Sequence, residues 1–259
     1  MFYSPKYFHD NMPKWKRKKD PILSRIFYRP LSFVCSSIAT NLHISANAVS
    51  YFNIFVAMAS SILFLFGNFT CAIVGASLVN LWLLLDCTDG NIARSVRKQP
   101  YGEYADSISS YFLVPLMCIG IGFYTYFSGG LVIKSSWIWI ILIGVTAGLS
   151  DTMMRLVYHK FKEVTLHMIE LGLVEKLKDE RNDHSKVNSI RVRIESDFGI
   201  GGILPLLTLF SVLFRFTDIL LFYCLFYYGG SFLITFGIST LKAMKYGKKS
   251  FIDPTDKDK

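Results

Sequence analysis

Three aspartates stand where an apolar run of the chain gives way to a polar turn. The stretch is LLLDCTDGNIARSVRKQPYGEYADSISS, residues 83–110, and the acids are Asp86, Asp89 and Asp106. Carboxylates in or near a hydrocarbon layer are costly, and they are usually retained for a function. Such oxygen ligands suit a hard divalent cation such as Mg²⁺ or Mn²⁺, which would also relieve their mutual repulsion. The stretch therefore predicts a cation site.

Helical spacing places these acids on two faces that can meet, because residues three and four apart share one face of a helix. The two sets are Asp86, Asp89, Gly90 and Ala93 on one helix and Glu103, Asp106 and Ser110 on the next. Small residues leave room for a ligand, and Arg94 is a fixed cation suited to a phosphate oxygen. Together they predict a site for a pyrophosphate. The alternative is a set of structural salt bridges with Arg94, Arg97 and Lys98.

The elements that carry these residues are membrane helices. The chain has 259 residues, of which 52% are hydrophobic and 15% aromatic. Such a composition, with several long apolar runs, predicts an all-α integral membrane protein. Six spanning segments are predicted at approximately 47–67, 70–93, 103–128, 135–158, 198–215 and 217–243.

Charge predicts the orientation of these segments. The net charge is +9, and basic residues flank alternate apolar runs, so the positive-inside rule places both termini in the cytoplasm. About sixteen residues, or ~24 Å of helix, separate Thr70 from Asp86. The acids are therefore expected at the cytoplasmic edge of a multi-pass protein. No recognisable nucleic-acid-binding module accompanies the charge, so nucleic acid is not an expected partner.

The chain divides into three predicted parts. Residues 1–45 form a basic segment with an amphipathic helix, interrupted by Pro30, that lies on the membrane interface or is buried against the bundle. Residues 46–246 form the membrane domain, which includes a cytoplasmic insertion at 159–197, and residues 247–259 form a polar tail. Apolar helices often associate, so membrane lipids and a homodimer are the compatible partners, although no motif requires a dimer.

The stretch from Asp86 to Asp106 resembles the signature of the CDP-alcohol phosphotransferase (CDP-alcohol phosphatidyltransferase) family. That signature is D-x2-D-G-x2-A-R, a short spacer, then G-x3-D-x3-D, and the residues that match it are Asp86, Asp89, Gly90, Ala93, Arg94, Gly102 and Asp106. The segment SANAVS also resembles the family's Asn-x-x-Thr/Ser stretch, through Asn47 and Ser50. The resemblance implies six membrane helices with the site at their cytoplasmic end.

The resemblance also implies the chemistry. Two divalent ions, Mg²⁺ or Mn²⁺, would bind among Asp86, Asp89 and Asp106, and the CDP group would lie along Asp86, Asp89, Gly90, Ala93 and Arg94. An acceptor hydroxyl would attack the β-phosphorus of a CDP-alcohol, and CMP would leave. CDP-diacylglycerol is the expected donor, in phospholipid or related glycolipid synthesis. The alternative within the family is a small CDP-alcohol donor with a lipid or glycan acceptor.

One position departs from the signature, because its fourth aspartate is Ser110 here. In the family this residue helps to hold the second ion and is thought to accept the proton of the acceptor. Serine is a poor base and a weak ligand at neutral pH. Three explanations remain open: a displaced base, for which Glu103 and Asp151 are candidates; a catalytically silent protein that still binds metal and nucleotide; or direct activation of the hydroxyl by metal.

The acceptor side has two candidate arginines. Arg155 lies one helical turn after Asp151, and Arg193 precedes the fifth predicted span beside Arg191. If these arginines face the site, they would bind a phosphorylated acceptor. If instead Arg155 only pairs with Asp151 and the others face lipid headgroups, the acceptor is an uncharged alcohol or a lipid.

Overall fold

The computed structural model describes residues 2–172 and 196–249, with side chains described as far as residue 246. These residues form helices, turns and bends and contain no strand, which confirms the all-helical part of the predicted fold class. The α-helices, in chain order, are α1 Pro5–Asp10, α2 Lys14–Lys19, α3 Arg29–Asn41, α4 Ala46–Leu65, α5 Phe69–Ser95, α6 Gly102–Ser128, α7 Trp139–Glu170, α8 Leu204–Leu213 and α9 Thr217–Lys249. A π-helical turn, Ser24–Tyr28, leads directly into α3.

Five of the described helices are long and apolar enough to cross a membrane, namely α4, α5, α6, α7 and the Thr217–Tyr246 part of α9. The predicted span at 198–215 corresponds instead to α8, which has ten residues. At 1.5 Å per residue it is ~15 Å long, about half of the hydrocarbon thickness. The sixth span and the side on which the termini lie therefore remain predictions.

Helix α7 continues beyond its predicted membrane segment. Residues 159–170, predicted as the start of a separate cytoplasmic insertion, belong to the same helix as the span. They contain neither glycine nor proline, so nothing ends the helix before Gly172, which has a φ of 71°. Residues 173–195 of the insertion, which include Arg191 and Arg193, lie outside the described residues.

The N-terminal segment is only partly as expected. Pro30 does not end the helical run, because it lies in the first turn of α3, directly after the π-helical turn. On one side Phe8 and Phe33 are buried in a cluster with Ile92 of α5. On the other side α3 exposes apolar side chains such as Ile38. One face thus packs on the bundle, and an interfacial position of the other face remains a prediction.

The spanning helices form a bundle in which α6 and α7 cross closely next to the predicted site. Helix α4 packs against α5 and α6, and α7 packs against α6 and α9. At the crossing of α7 with α6, a Cβ added at Gly148 would lie 2.8 Å from the carbonyl oxygen of Pro115. Only glycine allows this approach, which brings Ser110 of α6 beside Asp151 and Arg155 of α7.

Candidate active site

The three predicted aspartates lie together where α5 ends and α6 begins. Asp86 interacts electrostatically with both Asp89 and Asp106, and Asp89 interacts with Asp106 as well. Asp89 is buried, Asp86 is half-buried and Asp106 is exposed. The cluster therefore runs from the interior of the bundle to its surface.

Asp89 is oriented by a residue of α4. The Ser50 hydroxyl donates a hydrogen bond to Oδ2 of Asp89, with an Oγ–Oδ2 distance of 2.5 Å. On the same helix as Asp89, the Arg94 guanidinium lies over Gly90, where an added Cβ would be 2.8 Å from Nη2 of the arginine. Gly90 thus leaves the space that Arg94 occupies. Ala93, one residue before Arg94, packs partly buried against the N-terminal apolar cluster.

Asn47 and Gly102 hold the turn that joins α5 to α6. The backbone N–H of Asn47 donates to Oε1 of Gln99 at 3.1 Å, and its side-chain amide donates to the carbonyl oxygen of Pro100 at 2.9 Å. A Cβ added at Gly102 would lie 3.3 Å from Oδ1 of Asn47. The head of α4 therefore fixes the turn that sets the position of Asp106 relative to Asp86 and Asp89.

The acidic cluster has the type of donor atom that a hard cation prefers. It does not form a complete coordination sphere. Across 2–172 and 196–249, no three acidic, histidine or cysteine side chains converge closely enough to hold a metal ion. The carboxylates of Asp86, Asp89 and Asp106 supply the oxygen donors that Mg²⁺ and Mn²⁺ prefer. The Ser110 position does not fit a second ion, because a guanidinium donates to its hydroxyl.

A cavity of about 400 Å³ opens beside the cluster, and Asp86 lies in its wall. The wall also contains five residues of α9, among them Tyr227 and Tyr228, and glycines just before α8. Its charged side chains are Lys16, Asp20, Arg29, Asp86, Asp151 and Arg155. Asp86 is therefore the residue that joins the acidic cluster to the cavity.

Ser110 is tied to the cavity wall through Arg155. The Nη1 group of Arg155 donates to Oγ of Ser110 at 3.2 Å, and its Nε group donates to Oδ2 of Asp151 at 2.7 Å. The guanidinium also lies over the Tyr111 ring, with Cζ 4.7 Å from the ring centroid. The ion pair predicted as one alternative for Arg155 is thus present, and it lies in the cavity wall.

A comparison with known protein families shows which family the chain belongs to. The model of the family described as CDP-alcohol phosphatidyltransferase matches residues 43–178, just over half of the chain. The chain belongs to this family. No curated protein gives a significant match. Membership confirms the resemblance inferred from the motif.

Family membership establishes the general class of the protein. CDP-alcohol phosphatidyltransferases transfer a phosphoalcohol group from a CDP-alcohol to an acceptor alcohol, so the chain is a transferase at the level of its family. With five helices long enough to span a bilayer, it is a multi-pass membrane protein. The matched residues include the acidic cluster, Ser110, Asp151 and Arg155 but neither the N-terminal segment nor α9.

The two candidate substitutes for the missing aspartate lie in different surroundings. The Glu103 side chain is 85% exposed and pairs with Lys98 at 3.7 Å. Asp151 is 1% exposed and lies in the cavity wall. Arg193, the remaining candidate for the acceptor side, lies outside the described residues.

The N-terminal segment supplies a network that the sequence reasoning missed. Arg29 donates to both oxygens of buried Asp20, from Nε to Oδ2 at 2.7 Å and from Nη2 to Oδ1 at 3.1 Å. Lys16 pairs with Oδ1 of the same carboxylate at 3.1 Å. Burial raises the pKa of Asp20, but the hydrogen bonds and charges of Arg29 and Lys16 outweigh it, so this pKa lies below its ordinary value.

This network reaches the signature helix. Arg29 also donates to Oδ1 of Asn91 at 3.0 Å, and Arg94 donates to the same oxygen at 3.3 Å. In the sequence the positive-inside rule accounted for the basic N-terminal residues. The acid that follows the basic run, Asp20 four residues after Lys16, was the available signal that some of those cations are paired internally.

Proposed function

We propose that the protein transfers a substituted phosphate from CDP-diacylglycerol to an acceptor alcohol, with release of CMP, at the cytoplasmic face of the membrane. The observation that carries this proposal is the position of Asp86, which belongs both to the acidic cluster and to the wall of the cavity. A donor held at the cluster and an acceptor held in the cavity would meet at Asp86. The positive-inside rule supports the cytoplasmic placement.

The donor side is the acidic cluster with the end of α5. Arg94, exposed over Gly90, is suited to a phosphate oxygen of the CDP group, and Asp89 is held for the same group by Ser50. Asn47 and Gly102 hold the turn between α5 and α6 in place beside the CDP group. Asp86, Asp89 and Asp106 would hold one Mg²⁺ or Mn²⁺ ion. When bound, such an ion neutralises charge that develops on the phosphate oxygens.

The acceptor side is the cavity. Three cations lie in its wall: Lys16 and Arg29 pair with Asp20, and Arg155 is fixed by Asp151. Charge-assisted hydrogen bonds from such groups favour a phosphorylated alcohol as the acceptor over a neutral one. This assignment leaves the reverse arrangement, a small CDP-alcohol donor with a lipid or glycan acceptor, as the alternative to be compared in the same assay.

A second candidate function rests on Ser110. Its hydroxyl receives a hydrogen bond from Arg155, so this position supplies no carboxylate for an ion or a proton. A silent family member would bind a divalent cation and CDP-alcohol without turnover. Binding with no release of CMP is the result that distinguishes this candidate.

The test is release of CMP by the purified full-length protein in detergent with Mg²⁺ or Mn²⁺, CDP-diacylglycerol and alcohols with and without a phosphate. We expect CMP release that depends on the acceptor and stops when EDTA removes the cation. Asp86→Asn should lower kcat/KM by about a hundredfold or more, since several kcal/mol of charge stabilisation would be lost.

Asp10→Asn is the matched control, because the Asp10 side chain is 57% exposed on α1. It should behave like the native protein, and size-exclusion profiles should show that both variants are folded. Metal-dependent binding of CDP-diacylglycerol without CMP release would support the silent candidate. Unchanged cation binding in Asp86→Asn would contradict the cation site.

A further inference from the structure

Two buried polar atoms in the cavity wall lack partners among the described residues. They are Oδ1 of Asp151 and the hydroxyl oxygen of Tyr228. Asp151 is 1% exposed and Tyr228 is 3% exposed. Leaving a buried polar atom without a hydrogen bond is costly, so such atoms call for an explanation. Both residues line the same cavity.

The two atoms belong to one place in the molecule. Asp151 and Tyr228 interact electrostatically across the contact of α7 with α9. The other carboxylate oxygen of Asp151 is held by Arg155, whose guanidinium is held in turn by Ser110 and Tyr111. The carboxylate is therefore oriented, with one oxygen engaged and the other open to a ligand in the cavity.

A ligand hydroxyl satisfies both atoms at once. Its O–H donates to Oδ1 of Asp151, and its oxygen accepts from the hydroxyl of Tyr228. Resting on the proposed function, we propose that this hydroxyl is the attacking group of the acceptor alcohol and that Asp151 accepts its proton. Tyr228 lies outside the residues that the family model matches, and Asp151 lies outside the signature.

The step balances in atoms and charge. As the acceptor O–H bond breaks, its proton passes to Oδ1 of Asp151 and its oxygen forms a bond to the β-phosphorus of the donor. The bond from that phosphorus to the bridging oxygen breaks, and the electron pair leaves on the phosphate of CMP. Asp151 then returns the proton to water. Tyr228 keeps its own proton and orients the acceptor oxygen.

This assignment also explains how a serine is accommodated at position 110. The carboxylate of the signature lies on α6, whereas here the carboxylate lies on α7, one arginine away. A carboxylate at position 110 would compete with Asp151 for Arg155. Serine accepts one hydrogen bond from Nη1 of Arg155, so the Nε group of Arg155 stays bonded to Asp151.

The test measures CMP release by the native protein and by Asp151→Asn over a range of pH. Asp151→Asn should lower kcat about 10²–10⁴-fold, the range of general base catalysis, and should abolish the acid limb of the kcat profile. The double variant Ser110→Asp with Asp151→Asn should regain turnover over Asp151→Asn alone. Glu163→Gln is the matched control on α7, because Glu163 is an exposed acid paired with Lys160.

Tyr228→Phe should raise KM for the acceptor about tenfold and keep the acid limb, because one charge-free hydrogen bond to the acceptor oxygen is lost. Tyr51→Phe, at a tyrosine that is 43% exposed on α4, is its control.

Three outcomes would overturn the assignment. If Asp151→Asn matches the native protein, or slows turnover with the acid limb intact, Asp151 is not the proton acceptor, although the proposed function stands. If Glu103→Gln alone abolishes the acid limb, Glu103 holds that role. If the native protein releases no CMP under any of these conditions, the proposed function and this assignment both fail.

Discussion

Two aspartate–arginine pairs border the same cavity, and they differ in one respect. In the pairs Asp20–Arg29 and Asp151–Arg155 the aspartate is buried, and in both the shortest bond joins arginine Nε to a carboxylate oxygen at 2.7 Å. In the first pair both carboxylate oxygens have partners, since Lys16 and Arg29 share Oδ1. In the second, Oδ1 of Asp151 has no partner among the described residues.

The difference separates a structural pair from a reactive one. A buried carboxylate with all its hydrogen bonds satisfied stabilises one arrangement of the chain and has no free acceptor. Through Arg29 and Asn91, Asp20 ties the N-terminal segment to α5. Asp151 keeps an acceptor toward the cavity, at some cost in stability. Burial and an ion pair are common to both, so neither identifies a functional residue alone.

The largest expected effect on stability is that of Arg29→Gln. This change leaves Asp20 buried with Lys16 alone and also removes the bonds to Asn91 and to the carbonyl oxygen of Cys87. Breaking a buried pair from one side costs about 3–5 kcal/mol, so the thermal unfolding midpoint in detergent should fall sharply. The control is Arg25→Gln, an exposed arginine that donates only to backbone carbonyls. Equal midpoints for the two variants would contradict a structural role for Arg29.

A smaller effect is expected at Gly148, which sets the distance between the helices that carry Ser110 and Asp151. In Gly148→Ala the new Cβ would press on Pro115, at a cost of about 1–3 kcal/mol. Turnover should fall as well, because α7 shifts relative to α6. Gly237→Ala is the matched control, since an added Cβ there meets nothing within 4 Å. Full turnover in Gly148→Ala would show that the reactive pair tolerates a displacement of α7.

The smallest effect concerns pH and the structural pair alone. The pKa of Asp20 is lowered in the folded protein, so its contribution to stability is complete above the unfolded value of about 4 and is lost as pH falls through the folded value. The native unfolding midpoint should therefore drop more steeply below about pH 4 than that of Asp20→Asn, which lacks the titrating group. Parallel curves for the two proteins would show that Asp20 is not the group responsible.

Much of the donor side could be predicted from local sequence. Three- and four-residue spacing predicted the grouping of Asp86 with Asp89, and the short turn predicted that Asp106 lies beside them. Hydropathy likewise predicted the spans that became α4 to α7 and α9. The 198–215 segment shows the limit of such reasoning, because an apolar composition does not set how much of a segment becomes helical.

The acceptor side could be predicted only as a set of alternatives. Glu103 and Asp151 were equivalent candidates in sequence, since both lie at helical spacing near a membrane edge. Their exposure separates them, and exposure depends on which helices pack together. Tyr228 gave no signal, because one tyrosine among fourteen in an apolar chain is unremarkable until its hydroxyl is found without a partner.

The sequence by itself determined the class of the protein, the position of its acidic signature and the serine at position 110, where the resemblance leads us to expect an aspartate. These follow from composition and from spacing within one or two helical turns, where the geometry of the helix leaves little choice. Only the tertiary structure decided what faces Ser110. Arg155 lies forty-five positions further along the chain, and it reaches that hydroxyl because Gly148 lets two helices pack closely.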